Sequence, residues 1–403
     1  MTVTLVAVAL ATGCDGDATD ASRVVDNGGD AGVASGEFCS GAVQLANSSQ
    51  GNSFCVVKGD GAVWCWGENG CGQLGASAPP FMTAPIPAAP PDAGSRFESV
   101  SVGWTTTCAV DSSRSGVCWG SPLPSVAPSC SSGSAVTRPA GLPTRLSMIA
   151  SGSDHACAVA EDGSAWCWGT NTNGQLGDGT EADRSHALPV VGLSSRVAAI
   201  AAGHDDTCAL TLDGALWCWG WNYAGELGDG TTETRRLPTP VSGMSSGVAS
   251  VSVGGSDTCA VKTDGSVWCW GHNSTGTVGD GTTAERLTPS RVELDLPVKA
   301  VAAGYAHTCA LASDGTVWCW GTNLSGSLGF PASCDGGRCA NPTPSMVTGL
   351  PSPVTAITAG YDSTCALESD GTVWCWGSNS GGQLGDGTRT ARFEPARVLS
   401  CGG

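Results

Sequence analysis

The sequence has 403 residues, of which only 13% are charged, with 59 Gly and 22 Pro. Such punctuation suits many short strands joined by tight turns and argues against long helices. Acidic residues outnumber basic ones 36 to 18, a formal net charge of −18, which repels phosphate backbones and excludes nucleic acid as an expected partner; the blander reading, charge as a solubility device, stands beside it.

The N-terminal residues 3–12 (VTLVAVALAT) form an apolar run too short to cross a bilayer as a helix and suited to the core of a signal peptide. The run ends in Leu10-Ala11-Thr12-Gly13-Cys14, which resembles a bacterial lipobox, where the cysteine thiol is acylated and becomes the new N-terminus. No Lys or Arg precedes Arg23, so an ordinary secretory signal followed by a chance cysteine is the alternative. Residues 1–13 are therefore expected to be a lipoprotein signal peptide. Residues 14–37, small, acidic and without internal aromatics, are expected to be a disordered tether.

Internal repetition dominates the rest. Trp-Cys-Trp-Gly occurs at 64–67, 166–169, 217–220, 268–271, 318–321 and 374–377, and a degenerate copy, Val117-Cys118-Trp119-Gly120, fills the gap. The seven copies are spaced by 53, 49, 51, 51, 50 and 56 residues, the length of one four-stranded propeller blade. Thirteen of the 15 tryptophans belong to these motifs. Strand alternation puts both tryptophans of a motif on one face and its cysteine on the other. The regularity points to packing between blades rather than to carbohydrate binding.

Each motif cysteine has a partner ten residues earlier, giving Cys55/Cys65, Cys108/Cys118, Cys157/Cys167, Cys208/Cys218, Cys259/Cys269, Cys309/Cys319 and Cys365/Cys375. In Cys157-Ala-Val-Ala-Glu161-Asp162-Gly163-Ser-Ala-Trp-Cys167 a three-residue hairpin loop centres on Asp162, with Gly163 in the left-handed position. The two cysteines then face each other at a non-hydrogen-bonded site, with Cα atoms about 4.5 Å apart. One cross-strand disulfide per blade follows, each contributing roughly 2–3 kcal/mol. Seven pairs of reduced thiols are the alternative, and would suit a cytosolic chain.

After each strand comes Asn-x-x-Gly-Gln-Leu-Gly-Asp-Gly-Thr, complete at 171–180 and 379–388. The spacing of Asp178 and Gly179 gives no alternating carboxylate loop, so a turn is expected and not a calcium site. Cys39 and Cys401 flank the ends of the repeat region. They are expected to pair and lock a ring whose terminal strands complete one shared blade. Cys334 and Cys339 bracket Asp-Gly-Gly-Arg and are expected to pair locally; zinc is the rival there, without a second ligand pair to complete it. Cys71 and Cys130 make the last pair, which leaves Cys14 alone among 21 cysteines.

The order Gly-x-x-His/Asp-Thr-Cys-Ala-Leu, Asp-Gly-x-Val-Trp-Cys-Trp-Gly, Asn-x-x-Gly-Gln-Leu-Gly-Asp-Gly-Thr resembles the RCC1 repeat over residues 38–403. The resemblance implies an all-β, seven-bladed propeller of four-stranded antiparallel blades. The double-cysteine version is similar to extracytoplasmic bacterial members. The family's named activity is guanine-nucleotide exchange on a small GTPase. No exchange-wedge segment matches here, and a secreted chain would not meet that substrate. Kinship with a secreted β-lactamase-inhibitor propeller suggests loop-mediated protein binding.

The histidines are His155, His186, His204, His272 and His307. His155 and His307 precede a blade cysteine by two, where other copies carry Ser53, Thr106, Asp206, Asp257 or Ser363. This reads as a polar structural slot bonded to a turn. No nucleophile motif, phosphate loop or metal cluster is recognisable, so no catalytic residue, metal or cofactor is assigned. The irregular stretches 76–98, 121–145 and 330–346 are the expected recognition surfaces, with neutral loop drift as the alternative. The expected function is that of a monomeric, non-enzymatic binding or scaffold protein, lipid-anchored outside the cytoplasm (or secreted), with a protein or glycan partner. A hydrolase or lyase with a site on the channel face, and cytosolic exchange activity, are the alternatives.

Overall fold

The structure, a computed structural model, describes residues 39–75, 78–88, 95–123, 136–331 and 339–399. The signal, the tether and Cys14 lie outside the described residues, as do Cys130, Cys334 and Cys401. Cys39, Cys71 and Cys339 are each disulfide-bonded. The partners expected for them are among the residues not described.

Blade one is built from β1 (Ala42–Asn47), β2 (Ser53–Lys58), β3 (Val63–Glu68) and β4 (Phe81–Pro87), hydrogen-bonded in that order. The pattern recurs in blades spanning 146–189, 197–240, 248–292, 298–346 and 354–397. In blade two, 97–120, three strands form, and an isolated bridge between Cys118 and Thr137 marks the place of the fourth. Blade one thus uses strands from one end of the chain only, and the last blade strands from the other end only. The expectation of one blade shared by both ends is corrected. Ala42–Asn47 already supplies an innermost strand, so nothing is left for the C-terminal strand to complete. The ring closes instead by face packing. Cys39 donates its backbone N–H to the Val398 carbonyl at 3.3 Å, and Ala42, Leu45 and Trp66 share a core with Leu367, Val373 and Val398.

Every blade hairpin folds as its spacing predicts. Gly163 N–H reaches the Ala160 carbonyl at 2.9 Å, and Gly163 has φ +84°. In blade two Arg114 takes this left-handed place with φ +68°. The cysteines ten residues apart are directly opposite in the ladder and form one disulfide per blade. Cys55–Cys65, Cys157–Cys167, Cys208–Cys218, Cys259–Cys269, Cys309–Cys319 and Cys365–Cys375 have Cα atoms 4.1 Å apart. Cys108–Cys118 has them 4.0 Å apart. All seven separations are close to the value of about 4.5 Å expected for a non-hydrogen-bonded pair.

The second tryptophan of each motif is buried, and its face packs on the preceding blade. Trp219 enters a cluster with Cys157, Val159 and Cys167 of blade three, so sulfur and indole do meet across the seam. The other disulfides are placed alike. Cys55 and Cys65 share a cluster with Trp119, Cys208 and Cys218 with Trp270, and Cys259 and Cys269 with Trp320. Cys309 and Cys319 cluster with Trp376, and Cys365 and Cys375 of the last blade with Trp66 of the first. The Trp219 indole N–H donates to the carbonyl of Gln175, at 2.8 Å, in the preceding Gly-Gln-Leu-Gly loop. The same bond joins Trp119 to Gln73, Trp270 to Glu226, Trp320 to Thr277 and Trp376 to Ser327, at 2.7–2.9 Å. Trp66 of blade one donates to Gln383 of the last blade at 2.9 Å, carrying the chain of contacts across the ring closure.

The Gly after Gln-Leu makes room for this indole. A Cβ at Gly279 would lie 2.5 Å from Trp320 Nε1, and its φ of +76° already disfavours a side chain. Gly192 has a comparable φ of +90° but nothing within 4 Å. Gly192→Ala should therefore cost about 1 kcal/mol of backbone strain. Gly279→Ala should cost about 2–4 kcal/mol, because displacement of the indole adds to it. Denaturant midpoints of the two variants measure the difference; equal losses would mean that the seam tolerates displacement of the indole.

Candidate functional site

The strand directions give the ring two unlike faces. One carries the Asp-Gly hairpins between second and third strands. The other, the loop face, carries the short turns between first and second strands and the Asn-x-x-Gly-Gln-Leu-Gly loops between third and fourth. The innermost strands line a central channel with a volume of about 1240 Å³. Its walls are mostly small residues such as Ala46, Ala150, Ala201 and Ala302.

The long loops are turns, as expected. Asn171 is their hub: its Nδ2 donates to Asp178 Oδ1 and to the carbonyls of Thr180 and Ala182, and its Oδ1 accepts from Leu176 N–H. Asp178 accepts from Thr180 and pairs with Arg184 at 2.8 Å. The same Asp–Arg pair recurs at Asp229/Arg235, Asp280/Arg286 and Asp386/Arg392. These carboxylates are committed to turn geometry. Within the irregular stretches 76–98 and 330–346, residues 81–87 and 340–346 are ordinary fourth strands, while 76–77, 89–94, 124–135 and 332–338 lie outside the described residues.

The seven turns between first and second strands surround the channel mouth. Backbone bonds chain them together: Ser153 N–H to Gly203 carbonyl, Gly255 to Gly304, Tyr305 to Gly360 and Tyr361 to Gly51, at 2.9–3.3 Å. Trp104, His204, Tyr305 and Tyr361 occupy equivalent turn positions and are 37–48% exposed. The rings of Tyr305 and Tyr361 stack at 4.3 Å. Trp221 and Tyr223, in the neighbouring loop of blade four, stack at 6.0 Å and are also exposed. The Trp221 N–H donates to the Asp205 carbonyl at 2.9 Å, which ties this loop to the turns. Trp104 and Trp221 are the two tryptophans outside the blade motif. That irregularity was the available sequence signal for this face, and the attention given to insertions missed it.

Three carboxylates follow these turn residues. Burial raises Asp362 to about 6. It also raises Asp154 and Asp205; the neighbouring Asp205 charge adds to the rise at Asp154, and His204 opposes both. His204 Nδ1 lies 3.4 Å from Asp205 Oδ2. Blade one has a longer turn, and its Gln50 reaches across to blade five: a Cβ at Gly255 would lie 2.8 Å from Gln50 Nε2. Gln50 Nε2, Thr105 Oγ1 and Ser153 Oγ are buried without hydrogen-bond partners.

The slot two residues before each cysteine is structural: Ser53 and Thr106 donate within their own blades to the carbonyls of Glu68 and Ser121, where the third strand ends, whereas in blades three, five and six the partner is the next blade. His155 Nε2 meets Thr207 Oγ1 at 2.9 Å, His307 Nε2 meets Thr364 Oγ1 at 2.8 Å, and Thr308 donates to Asp257 Oδ2 at 3.1 Å. The expectation of a bond to a turn holds at Ser53 and Thr106 and is corrected at His155, Asp257 and His307, whose bonds cross to the next blade. His186 and His272 take no part in this slot.

This geometry defines a closed propeller of seven contiguous blades with one aromatic, acidic loop face. The chain belongs to the RCC1 family. The family model for the RCC1-like domain matches residues 186–403, and models for the regulator of chromosome condensation (RCC1) repeat match 60–110 and 149–175. The chain is similar to the ultraviolet-B receptor UVR8 of Arabidopsis thaliana, 30% identical over 57% of this chain and 41% of the receptor. It is similar to the human X-linked retinitis pigmentosa GTPase regulator, 37% identical over 57% of this chain and 22% of the regulator. Among relatives is also the human ubiquitin-protein ligase HERC2, matched over 5% of its length. The chain thus spans well under two thirds of these relatives. Prp20p of Saccharomyces cerevisiae, described for its binding to Gsp1p and histones, shares the fold with TM-score 0.73 at 20% identity, over 84% of this chain and 86% of Prp20p. Human WBSCR16 also has TM-score 0.73 at 20% identity, over 84% and 94%.

The seam slot predicts a pH profile. Burial, with the His204 charge adding, holds His155 at about 3, and burial holds His307 at about 4. Their contribution to stability is complete above about pH 6.5 and is lost as pH falls from there. Asp206 and Asp257 run the other way. Burial first, then the Glu226 carboxylate, raises both well above the ordinary carboxylate range. Their contribution is complete below about pH 4 and is lost as pH rises through the folded values. Thermal melts from about pH 5 to about pH 9 should show Asp206→Asn/Asp257→Asn removing part of the alkaline decline while leaving the acid limb. An unchanged alkaline limb would contradict this assignment.

Proposed function

We propose that this chain is a binding propeller held at the outside of a cell envelope by lipid on Cys14, gripping a protein through its loop face. The observation that carries the reading is the exposed aromatic set on that face, Trp104, Trp221, Tyr223, Tyr305 and Tyr361. Large exposed aromatics cost solubility and supply the anchors that protein interfaces use. Prp20p's binding to Gsp1p and histones supports protein recognition as a use of this fold. The seven blade disulfides support an oxidising compartment. The acidic sum of −18 supports a partner other than nucleic acid. The reading makes the chain a monomer without cofactor or catalytic activity, in contact with membrane through its lipid alone.

A second reading has one observation in its favour. Asp154, Asp205 and Asp362 lie in turns on the loop face, and Asp362 at about 6 is suited to general acid work. Binding is preferred because exposed aromatics share this face with the carboxylates and supply the anchors that protein interfaces use.

Two measurements test the proposal. Intact mass of the native protein from its own envelope should show a cleaved N-terminus, an acylated Cys14 and ten disulfides, consistent with 21 cysteines; free thiols or an unmodified terminus would remove the anchoring clause. Trp104→Ala/Tyr223→Ala should lose an envelope partner captured by crosslinking, with affinity down by about tenfold or more. Undiminished capture would move the interface off the loop face.

A further inference from the structure

The channel mouth on the loop face has a more specific chemistry than an aromatic surface. Asp154 and Asp205, in the first-to-second-strand turns of adjacent blades three and four, are near enough for the Asp205 charge to act on Asp154. Asp205 accepts from Gln175 Nε2 at 3.1 Å and lies 3.4 Å from His204 Nδ1, and among the described residues neither carboxylate is ion-paired to Lys or Arg. Elsewhere on the molecule the turn aspartates each hold an arginine at 3.0 Å or less. Trp104, Tyr305 and Tyr361 are exposed in the equivalent turns of blades two, six and seven, with Trp104 in the blade next to Asp154. Ser153, 2% exposed and directly before Asp154, has a hydroxyl with no partner, and Gln50, 8% exposed, has an unpartnered amide nitrogen.

We infer that this mouth seats a lysine or arginine side chain of a protein partner. The cation would lie between the carboxylates and against an aromatic face, an arrangement that combines ion pairing with cation–π attraction. Ser153 Oγ would accept a hydrogen bond from it, and Gln50 Nε2 would donate to a backbone carbonyl of the segment that carries it. Charge decides against a neutral sugar. Burial first, then the Asp205 charge, raises Asp154. A cation relieves that repulsion and a hydroxyl group does not. The inference rests on the protein-binding reading and narrows it to a basic segment.

The test uses the full chain with its disulfides intact and three probes: a capped hexapeptide containing three arginines, its glutamate counterpart, and chitohexaose. Isothermal titration should show the arginine peptide binding, more weakly as salt rises, and the other two not binding. Asp154→Asn/Asp205→Asn should weaken it about tenfold or more, and Ser153→Ala by a smaller factor. Asp213→Asn/Asp264→Asn, on the hairpin face, should change it less than about twofold. Near-UV circular dichroism checks that each variant folds, and the Ser153→Ala result stands if the double variant does not. No binding of the arginine peptide, equal binding by the loop-face variants, or binding of chitohexaose in its place would overturn the inference. An envelope protein captured equally by wild type and Asp154→Asn/Asp205→Asn would also overturn the cation seat and leave the protein-binding reading standing. Capture of nothing by either, with no peptide bound, would remove both.

Discussion

The structure depends on one repeated contact: in six of the seven blades the second tryptophan donates its indole N–H to a carbonyl of the preceding blade's loop. A propeller blade is too small to bury its own faces and gains a core only from its neighbours. The indole supplies a large apolar area and also answers a buried carbonyl that would otherwise cost free energy. The contact explains the recurrence of several features at once. The loop must present a carbonyl at Gln175 or its equivalents, and the residue two places on, Gly177, must lack a side chain. The threonine before the cysteine uses the same acceptor, as Thr207 does with Gln175 at 2.9 Å. The disulfide behind it stiffens the hairpin that presents the opposing wall, with Cys157 and Cys167 against Trp219.

A scaffold of this kind frees the loop face from structural duty. The turn position held by Trp104, His204, Tyr305 and Tyr361 is Gly in blades one and five and buried Ser153 in blade three, so its residues vary without disturbing the seams. The aromatic groups on that face are exposed, and its aspartates Asp154 and Asp205 hold no Lys or Arg among the described residues. That is the physical basis for reading the face as the working surface. It also explains the contrast with the turn aspartates, which are neutralised by arginine four times over.

Much of the fold was legible because the repeat is written in local terms. Asp162-Gly163 fixes a hairpin, and the hairpin fixes Cys157 opposite Cys167. The long-range parts were less legible. Nothing local says that Ala42–Asn47 opens a complete blade, so the ring closure was misread. Nothing local says that His155 reaches Thr207, because that bond crosses 52 residues. The candidate site was the least legible of all. It is made of single turn residues brought together only by circular closure, from Gln50 in blade one to Tyr361 in blade seven. The longer insertions drew attention by length, while 81–87 and 340–346 proved to be strands.

Hydrogen exchange of the tryptophan indole N–H groups tests the seam contact most directly. The account predicts that the indole protons of Trp66, Trp119, Trp219, Trp270, Trp320 and Trp376 exchange slowly and together, at the rate of global opening. Trp104 and Trp221, exposed on the loop face, should exchange at rates near those of a free peptide. Fast exchange of the six seam indoles in the folded protein would show that the blades are not held together in this way.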